Sequence, residues 1–230
     1  MVLSALGDRA VLITLGDTID EATHRRVRAV TARIDAEPPV GFVDRVPAFA
    51  SVVVHYEPLL VTGNGGRSPY DAFVAALRGL LADVRDDALS PPRRVDIPVC
   101  YGGELGPDLE DVARLHGVAA QDVIDIHAGG DYLVYMVGFM PGFAYLGGLS
   151  SRIATPRRQT PRTAVPAGSV GIGGEQTGVY PLVSPGGWNL IGRTPRRIFD
   201  IDRTEPALLV TGDRVRFHPI SVDEFRAWTE

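Results

Sequence analysis

The sequence predicts an α+β protein in two parts, a split βαβ domain over residues 1–93 and a β-sandwich or barrel domain over residues 94–230. Three observations carry this. The first part reads strand–helix–strand–strand–helix–strand by its apolar periodicity. From Tyr132 onward, short apolar runs are separated by Gly/Pro turns, the pattern of an all-β unit. Within that half, Gly138–Phe199 holds 12 of the 26 glycines, 7 of the 18 prolines and 7 of the 23 basic residues against one acid, Glu175.

The elements follow in order. Val11, Ile13 and Leu15 alternate through a first strand, Ala10–Leu15. Ala22, Val27, Val30 and Ile34 recur at helical spacing between Asp20 and Ala36, with Asp20 placed to cap. Phe42–Val46 and Ser51–Tyr56 read as strands around Pro47. Ser68-Pro69 opens a helix through Phe73, Leu77, Leu80 and Leu81, with Pro at its first position. A polar, Pro-containing stretch, Arg85–Pro92, precedes a strand, Arg94–Tyr101, which completes the ferredoxin-like order. Asp108 caps a short helix through Leu115, and Ala120–Ile126 forms a second that ends near His127-Ala-Gly-Gly. The β runs are then Tyr132–Val137, Val165–Ile172, Leu190–Ile191, Ala207–Thr211 and Arg214–His218.

Composition limits the chemistry. The chain has no lysine, so all 23 basic residues are arginine. A Walker-type phosphate loop and a Schiff-base amine both need that side chain and are excluded. A net charge of −5 with no basic tail argues against nucleic acid as a partner. No apolar run approaches the 18 or more residues of a membrane span. The N-terminus lacks a basic region before an apolar one, and Cys100 is the single cysteine, which together predict a cytoplasmic protein. The five histidines show no metal-ligand spacing, and no metal site is expected.

The Gly138–Phe199 segment carries +6 while the remaining chain carries −11. Pro141-Gly142 suits a type II turn flanked by Phe139 and Phe143. Val165–Gly178 and Ser184-Pro-Gly-Gly-Trp188 again pack glycine beside polar and aromatic groups, so the backbone can approach a ligand closely. Barrel corners also use Gly and Pro, which is the competing explanation. Thr-Pro-Arg occurs at Thr155–Arg157, Thr160–Arg162 and Thr194–Arg196, each copy presenting its arginine from stiff backbone. Guanidinium forks at Arg157, Arg158 and Arg162 suit carboxylate or phosphate. Arg157 is the candidate catalytic cation. The candidate binding residues are Phe139, Pro141, Gly142, Phe143, Arg158, Arg162, Gln176, Thr177, Tyr180, Ser184 and Trp188. His127, one strand before the Pro141-Gly142 turn, is either a general acid/base or a side chain favoured at a helix C-terminus. Gly171-x-Gly173 lacks the third glycine of a dinucleotide fingerprint, and Ala167 before Ser169 rules out a nucleophile elbow.

The run Gly138–Leu149, with Thr155-Pro-Arg-Arg158, Thr160-Pro-Arg162, Val165-Pro-Ala-Gly-Ser169, Gln176-Thr-Gly178, Tyr180-Pro181 and Ser184-Pro-Gly-Gly-Trp188, resembles the family of 5-oxoprolinase B subunits. This family is also called allophanate hydrolase subunit 1-like and includes the sporulation-kinase inhibitor KipI. Cys100–Leu109 and Gly7–Ala10 fit it as well, and the match runs in order along nearly the whole chain. The family pattern has Ala at 173 and often Pro at 144, where this chain has Gly and Ala. The resemblance implies an N-terminal ferredoxin-like domain and a C-terminal cyclophilin-like β-barrel. It implies a polypeptide, inactive alone, that works in a complex with a KipA-like C subunit and a separate A subunit. That complex opens 5-oxo-L-proline, a small anion, to L-glutamate using ATP, with or without Mg2+, bound by this chain or shared with a partner. Two alternatives are a KipI-like inhibitor of a histidine kinase and a component of a urea carboxylase or allophanate-type amide enzyme. The latter needs a partner to supply its biotin-bearing lysine.

Overall fold

The computed structural model describes residues 1–61, 66–84 and 91–229, which divide into two compact units, Met1–Pro91 and Pro92–Glu230. Residues 85–90 of the expected polar stretch lie outside the described residues.

The first unit contains β1 (Val2–Ala5), β2 (Ala10–Thr14), α1 (Glu21–Ala36), β3 (Phe42–Pro47), β4 (Ser51–Tyr56) and α2 (Pro69–Leu80). Its antiparallel sheet has the order β1-β2-β4-β3. Strands β2 and β3 are joined through α1 and flank β4, with Val11 opposite Val54 and Ile13 opposite Val52. That register turns Val11, Ile13, Val52 and Val54 to one face, where Val27, Val30 and Ile34 of α1 and Phe73 and Leu77 of α2 bury them. Each such side chain contributes about 1.5–3 kcal/mol on leaving water. Phe73 stacks on Tyr56 with centroids 4.4 Å apart. Asp20 caps α1 by accepting from the Thr23 N–H at 2.8 Å, and Ser68 caps α2 through the Asp71 N–H at 3.1 Å.

One strand changes places relative to the sequence expectation. β5 (Arg94–Tyr101) does not complete this sheet but joins the second unit, between two barrel strands. The position beside β2 is taken by β1 instead. The reason is burial. Ile97, Val99 and Cys100 are buried in succession with Pro98 between them, whereas an edge strand of a one-layer sheet leaves alternate residues wet. β1 buries only Leu3, too little for a period-2 signal.

The second unit adds α3 (Leu109–His116), α4 (Ala120–Ala128), β6 (Tyr132–Val137), β7 (Ala144–Gly147), β8 (Arg162–Val165), β9 (Ser169–Gly173), β10 (Gln176–Val179), β11 (Ser184–Gly186), β12 (Asn189–Arg193), β13 (Arg214–Pro219) and α5 (Val222–Ala227). Seven strands close a barrel in the order β10-β7-β6-β13-β5-β12-β9, so the protein is mixed α and β with a closed seven-stranded barrel. Only β5 and β13 pair in parallel; the other barrel pairs are antiparallel. Closure leaves no free edge in the barrel, and Ile97, Val99, Tyr132, Val134, Leu146, Ile172, Ile191 and Phe217 fill its core. β8 and β11 form a separate two-stranded ribbon.

The expected strand Val165–Ile172 is two strands, β8 and β9, broken at Pro166, where the Ser169 N–H bonds the Pro166 carbonyl at 3.2 Å. The expected strand Ala207–Thr211 reduces to an isolated bridge, Phe199 with Ala207. Asp213 accounts for this by taking the Val210 N–H at 2.9 Å and donating its own N–H to the Val210 carbonyl, so the chain turns there. Among the described residues no helix is long and apolar enough to cross a membrane.

Close backbone approach sets one junction. Gly106, between β5 and α3, has an ordinary φ of −138°, yet a Cβ there would overlap the Ile191 carbonyl and lie 2.6 Å from the Gly102 nitrogen. Replacing Gly106 by Ala should therefore lower stability by about 2–3 kcal/mol. Equilibrium denaturation measures this, and an unchanged midpoint would contradict the contact.

Candidate functional site

Between β6 and β7 the chain makes the turn the sequence asks for. The Phe143 N–H donates to the Met140 carbonyl at 3.1 Å, and Gly142 has φ +78°. A Cβ on Gly142 would sit 2.8 Å from the Phe199 Cβ, so both conformation and space require glycine. Phe139 precedes this turn with φ +70°, the one non-glycine residue with positive φ among the described residues. A bulky side chain held there costs of order 1–2 kcal/mol, and the strained ring stands 64 % exposed at the rim of a cleft.

The cleft has a volume of about 300 Å³. Phe143, Tyr145, Tyr180 and Trp188 wall it with edge-to-face ring pairs; Phe143 lies 5.3 Å from Tyr180 and 5.5 Å from Trp188 between centroids. Two glycines make room for these rings. A Cβ on Gly186 would meet the Tyr180 hydroxyl at 2.5 Å, and one on Gly173 would meet Trp188 Nε1 at 2.5 Å. An alanine at 173 could therefore not coexist with this position of the indole.

Three arginines face this region in two different states. Arg157 is exposed, and its guanidinium lies over the Trp188 ring, 5.8 Å from the centroid. Arg158 and Arg162 converge on Asp108, a residue only 2 % exposed. Asp108 Oδ1 accepts from Arg158 Nη1 at 2.9 Å and Arg162 Nη2 at 2.7 Å. Its Oδ2 accepts from Arg162 Nη1 at 2.9 Å and the Leu190 N–H at 2.7 Å. The 156–158 backbone is pinned in turn, because the Arg158 N–H donates to the Gly187 carbonyl at 2.7 Å and Asn189 Nδ2 to the Pro156 carbonyl at 2.8 Å. The third Thr-Pro-Arg copy goes elsewhere, with Arg196 bonding the Asp96 carbonyl at 2.9 Å.

The expected residues thus separate. Phe139, Phe143, Arg157, Arg158, Tyr180 and Trp188 line the cleft, and Arg162 joins it through Asp108. Pro141 and Gly142 shape the turn that carries Phe139 and Phe143. Gln176 is half-buried at the start of β10, outside the cleft lining, and Ser184 Oγ donates to the Pro185 carbonyl at 3.2 Å. His127 and Thr177 lie in the barrel core, both fully buried, so His127 is not placed to exchange protons with a ligand in the cleft. Asp108 is the residue that sequence reasoning missed, having assigned it to helix capping. It does occupy the N-cap position of α3, but its side chain makes no cap bond. The signal available was charge: with seven arginines and one acid in Gly138–Phe199, a guanidinium buried there must find its carboxylate outside the segment. Among the described residues no three His, Cys, Asp or Glu side chains converge as metal ligands.

His127 is held by a directed chain of hydrogen bonds. Thr177 Oγ1 donates to the Gly171 carbonyl at 3.0 Å, so it accepts from His127 Nε2 at 2.9 Å, and Nδ1 accepts from the Tyr101 hydroxyl at 2.7 Å. This fixes a neutral Nε2–H tautomer. Full burial pushes its pKa down from 6.5 to about 3, and the ring stacks on Phe217 at 4.6 Å. Burial, then the nearby Tyr132, drives the Tyr101 hydroxyl the other way, well above its ordinary value. Below pH 6.5 the unfolded chain takes up a proton that folded His127 refuses until about pH 3. Its contribution is thus complete above pH 6.5 and declines by about 1.4 kcal/mol per pH unit as pH falls. Denaturation midpoints at pH 6.5 and 5 should show this slope reduced in His127→Gln, which keeps a donor and an acceptor but does not titrate. Equal slopes in the two proteins would refute the buried neutral imidazole.

With this geometry in place, likeness to known proteins acquires a structural meaning. The family described as carboxyltransferase domain, subdomain C and D, matches residues 1–209. The 5-oxoprolinase B subunit of Bacillus subtilis (strain 168) is 46 % identical over 99 % of this chain and 96 % of its own length. That of Escherichia coli O157:H7 is 42 % identical over 93 % of this chain and 94 % of its own. The crystal structure of the conserved uncharacterized protein PH0987 from Pyrococcus horikoshii is similar with a TM-score of 0.57 at 44 % identity, covering 97 % of this chain and 100 % of that one. The chain belongs to the carboxyltransferase subdomain C and D family, together with the 5-oxoprolinase B subunits.

Proposed function

We propose that this chain acts as the B subunit of a 5-oxoprolinase, a hydrolase complex that opens 5-oxo-L-proline to L-glutamate at the expense of ATP. The observation that carries this reading is Arg157, an exposed guanidinium over the Trp188 face in a cleft walled by aromatic rings. A small lactam with one carboxylate presents the complementary surface, an apolar ring edge and a single negative charge. The guanidinium pairs with the carboxylate while Phe143, Tyr180 and Trp188 enclose the ring and exclude water. A lactam amide resists water at neutral pH, and phosphoryl transfer to its oxygen supplies the activated electrophile that the free amide lacks.

The cleft suits the acid substrate better than a metal-bound nucleotide. Both Asp108 oxygens are filled by arginine and backbone donors, and the cleft lining offers no other carboxylate to a metal ion. The residues present therefore do not fit Mg2+, and ATP is assigned to a surface completed by other polypeptides of the complex. In this reading the first unit is a ferredoxin-like domain and the barrel is cyclophilin-like. The partners are an A subunit and a KipA-like C subunit, and the assembly works in the cytoplasm. The family description names carboxyl transfer, but a biotin-bearing lysine cannot come from this chain.

The test is co-expression with candidate A and C subunits and measurement of glutamate and ADP formed from 5-oxoproline. ATP-dependent turnover that requires this chain is the expected result; none in the assembled complex would sink the proposal. Within that complex Arg157→Ala should lower kcat/KM about 10- to 100-fold without preventing assembly. A wild-type value would remove Arg157 from the site.

A further inference from the structure

Asp108 touches no ligand space, yet it is tied to the cleft more heavily than any other acid described. We propose that Asp108 is a positioning residue for the oxoproline site, one that sets the Arg158 guanidinium against the cleft wall and fixes the charge the substrate meets. This rests on the reading of the cleft as the place where the acid substrate binds.

Three observations support it. First, the carboxylate is saturated. Its two oxygens accept four hydrogen bonds between 2.7 and 2.9 Å, which leaves no lone pair for a substrate, so any influence must pass through its partners. Second, the cluster is not neutral. Two guanidiniums on one carboxylate leave one positive charge in excess, and Arg158 is the member that lines the cleft. The contrast with Asp213 is informative, since that acid is also buried but pairs with Arg93 alone and closes a turn through the Val210 N–H. One acid completes a neutral structural pair; the other gathers surplus charge beside a cavity.

Third, local structure is given up to build the cluster. An aspartate at a helix N-cap usually bonds a first-turn N–H and adds about 1 kcal/mol to the helix, and Asp108 makes no such bond. Arg158 Nε, moreover, is buried without a partner, a loss accepted while Nη1 is held on Asp108. A reciprocal backbone link keeps the device rigid. The Asp108 N–H donates to the Leu190 carbonyl at 2.9 Å while the Leu190 N–H bonds the Asp108 carboxylate. Leu190 follows Trp188 by two residues, so the acid that orients Arg158 also anchors the strand that delivers the indole.

The decisive experiment compares wild type, Asp108→Asn, Asp108→Glu, Arg162→Gln and the Asp108→Asn/Arg162→Gln double variant in the assembled complex. Asn keeps one acceptor oxygen but turns an amide donor toward guanidinium donors, so Asp108→Asn should raise KM for 5-oxoproline about tenfold or more. Its kcat should change less than about threefold, and KM for ATP should not move. Asp108→Glu restores the carboxylate and should recover part of the loss. Asp108→Asn and Arg162→Gln should be non-additive in a double-mutant cycle, because both act on one cluster. A purely structural role would lower thermal stability and leave KM for 5-oxoproline unchanged, and that result overturns the proposal. Should Asp108→Asn not assemble, Arg162→Gln decides: a severalfold rise in KM for 5-oxoproline supports the proposal, and an unchanged one overturns it. A wild-type complex that makes no glutamate fails differently, since it removes the oxoprolinase reading on which this rests.

Discussion

A buried carboxylate with two arginines is the constraint around which the candidate site is organised. An isolated ionised acid in a protein interior is untenable, so Asp108 must be surrounded by donors. Those donors lie 50, 54 and 82 residues beyond Asp108 in sequence. Arg158 lies in a loop, Arg162 on the separate ribbon strand β8, and the Leu190 N–H on barrel strand β12. Satisfying one acid therefore ties ribbon, barrel and the start of α3 together within the second unit. The same geometry concentrates positive charge beside the aromatic wall, so in the proposed site a single electrostatic requirement serves both folding and recognition.

Close packing is the second requirement. Glycines at 173 and 186 let the cleft rings of Trp188 and Tyr180 occupy space that any Cβ would fill, and Gly142 does the same for Phe199 beneath the turn that carries Phe143. A Cβ at 173 would meet Trp188 Nε1 at 2.5 Å, so glycine there lets the indole sit where it does. The barrel core is apolar, and both nitrogens of His127 within it are hydrogen-bonded to side chains that are themselves part of the barrel. A neutral imidazole whose two nitrogens are both engaged has no route to a ligand.

Much of this was legible in the sequence where a local rule governed. Capping at Asp20, the helix start at Ser68-Pro69, the Pro141-Gly142 turn, and the helix periods of Val27, Val30, Phe73 and Leu77 follow from neighbours a few positions apart. The aromatic and arginine content of Gly138–Phe199 likewise marks the segment that supplies most of the cleft lining. What escaped depended on distant partners. β1 is too short to show alternation, and the place of β5 was decided by the barrel that buries Ile97, Val99 and Cys100. Asp108 looked like a helix cap because N-capping is its local use; its real partners lie 50 and 54 residues away. His127 was placed near the turn by sequence order, but α4 directs it into the core.

The central claim, that the Arg157–Trp188 cleft receives the carboxylate of the lactam, is open to a direct equilibrium measurement. Trp188 is buried at 4 % exposure and the other tryptophan of this chain, Trp228, is 40 % exposed, so in a Trp228→Phe background the cleft indole's signal is the difference from a Trp188→Phe/Trp228→Phe control complex. Titrating 5-oxoproline into the assembled complex should change Trp188 fluorescence saturably, with an affinity that weakens as salt rises and is lost in Arg157→Ala. A titration that leaves Trp188 unaltered while the complex turns over substrate, or one that Arg157→Ala does not affect, would contradict the claim.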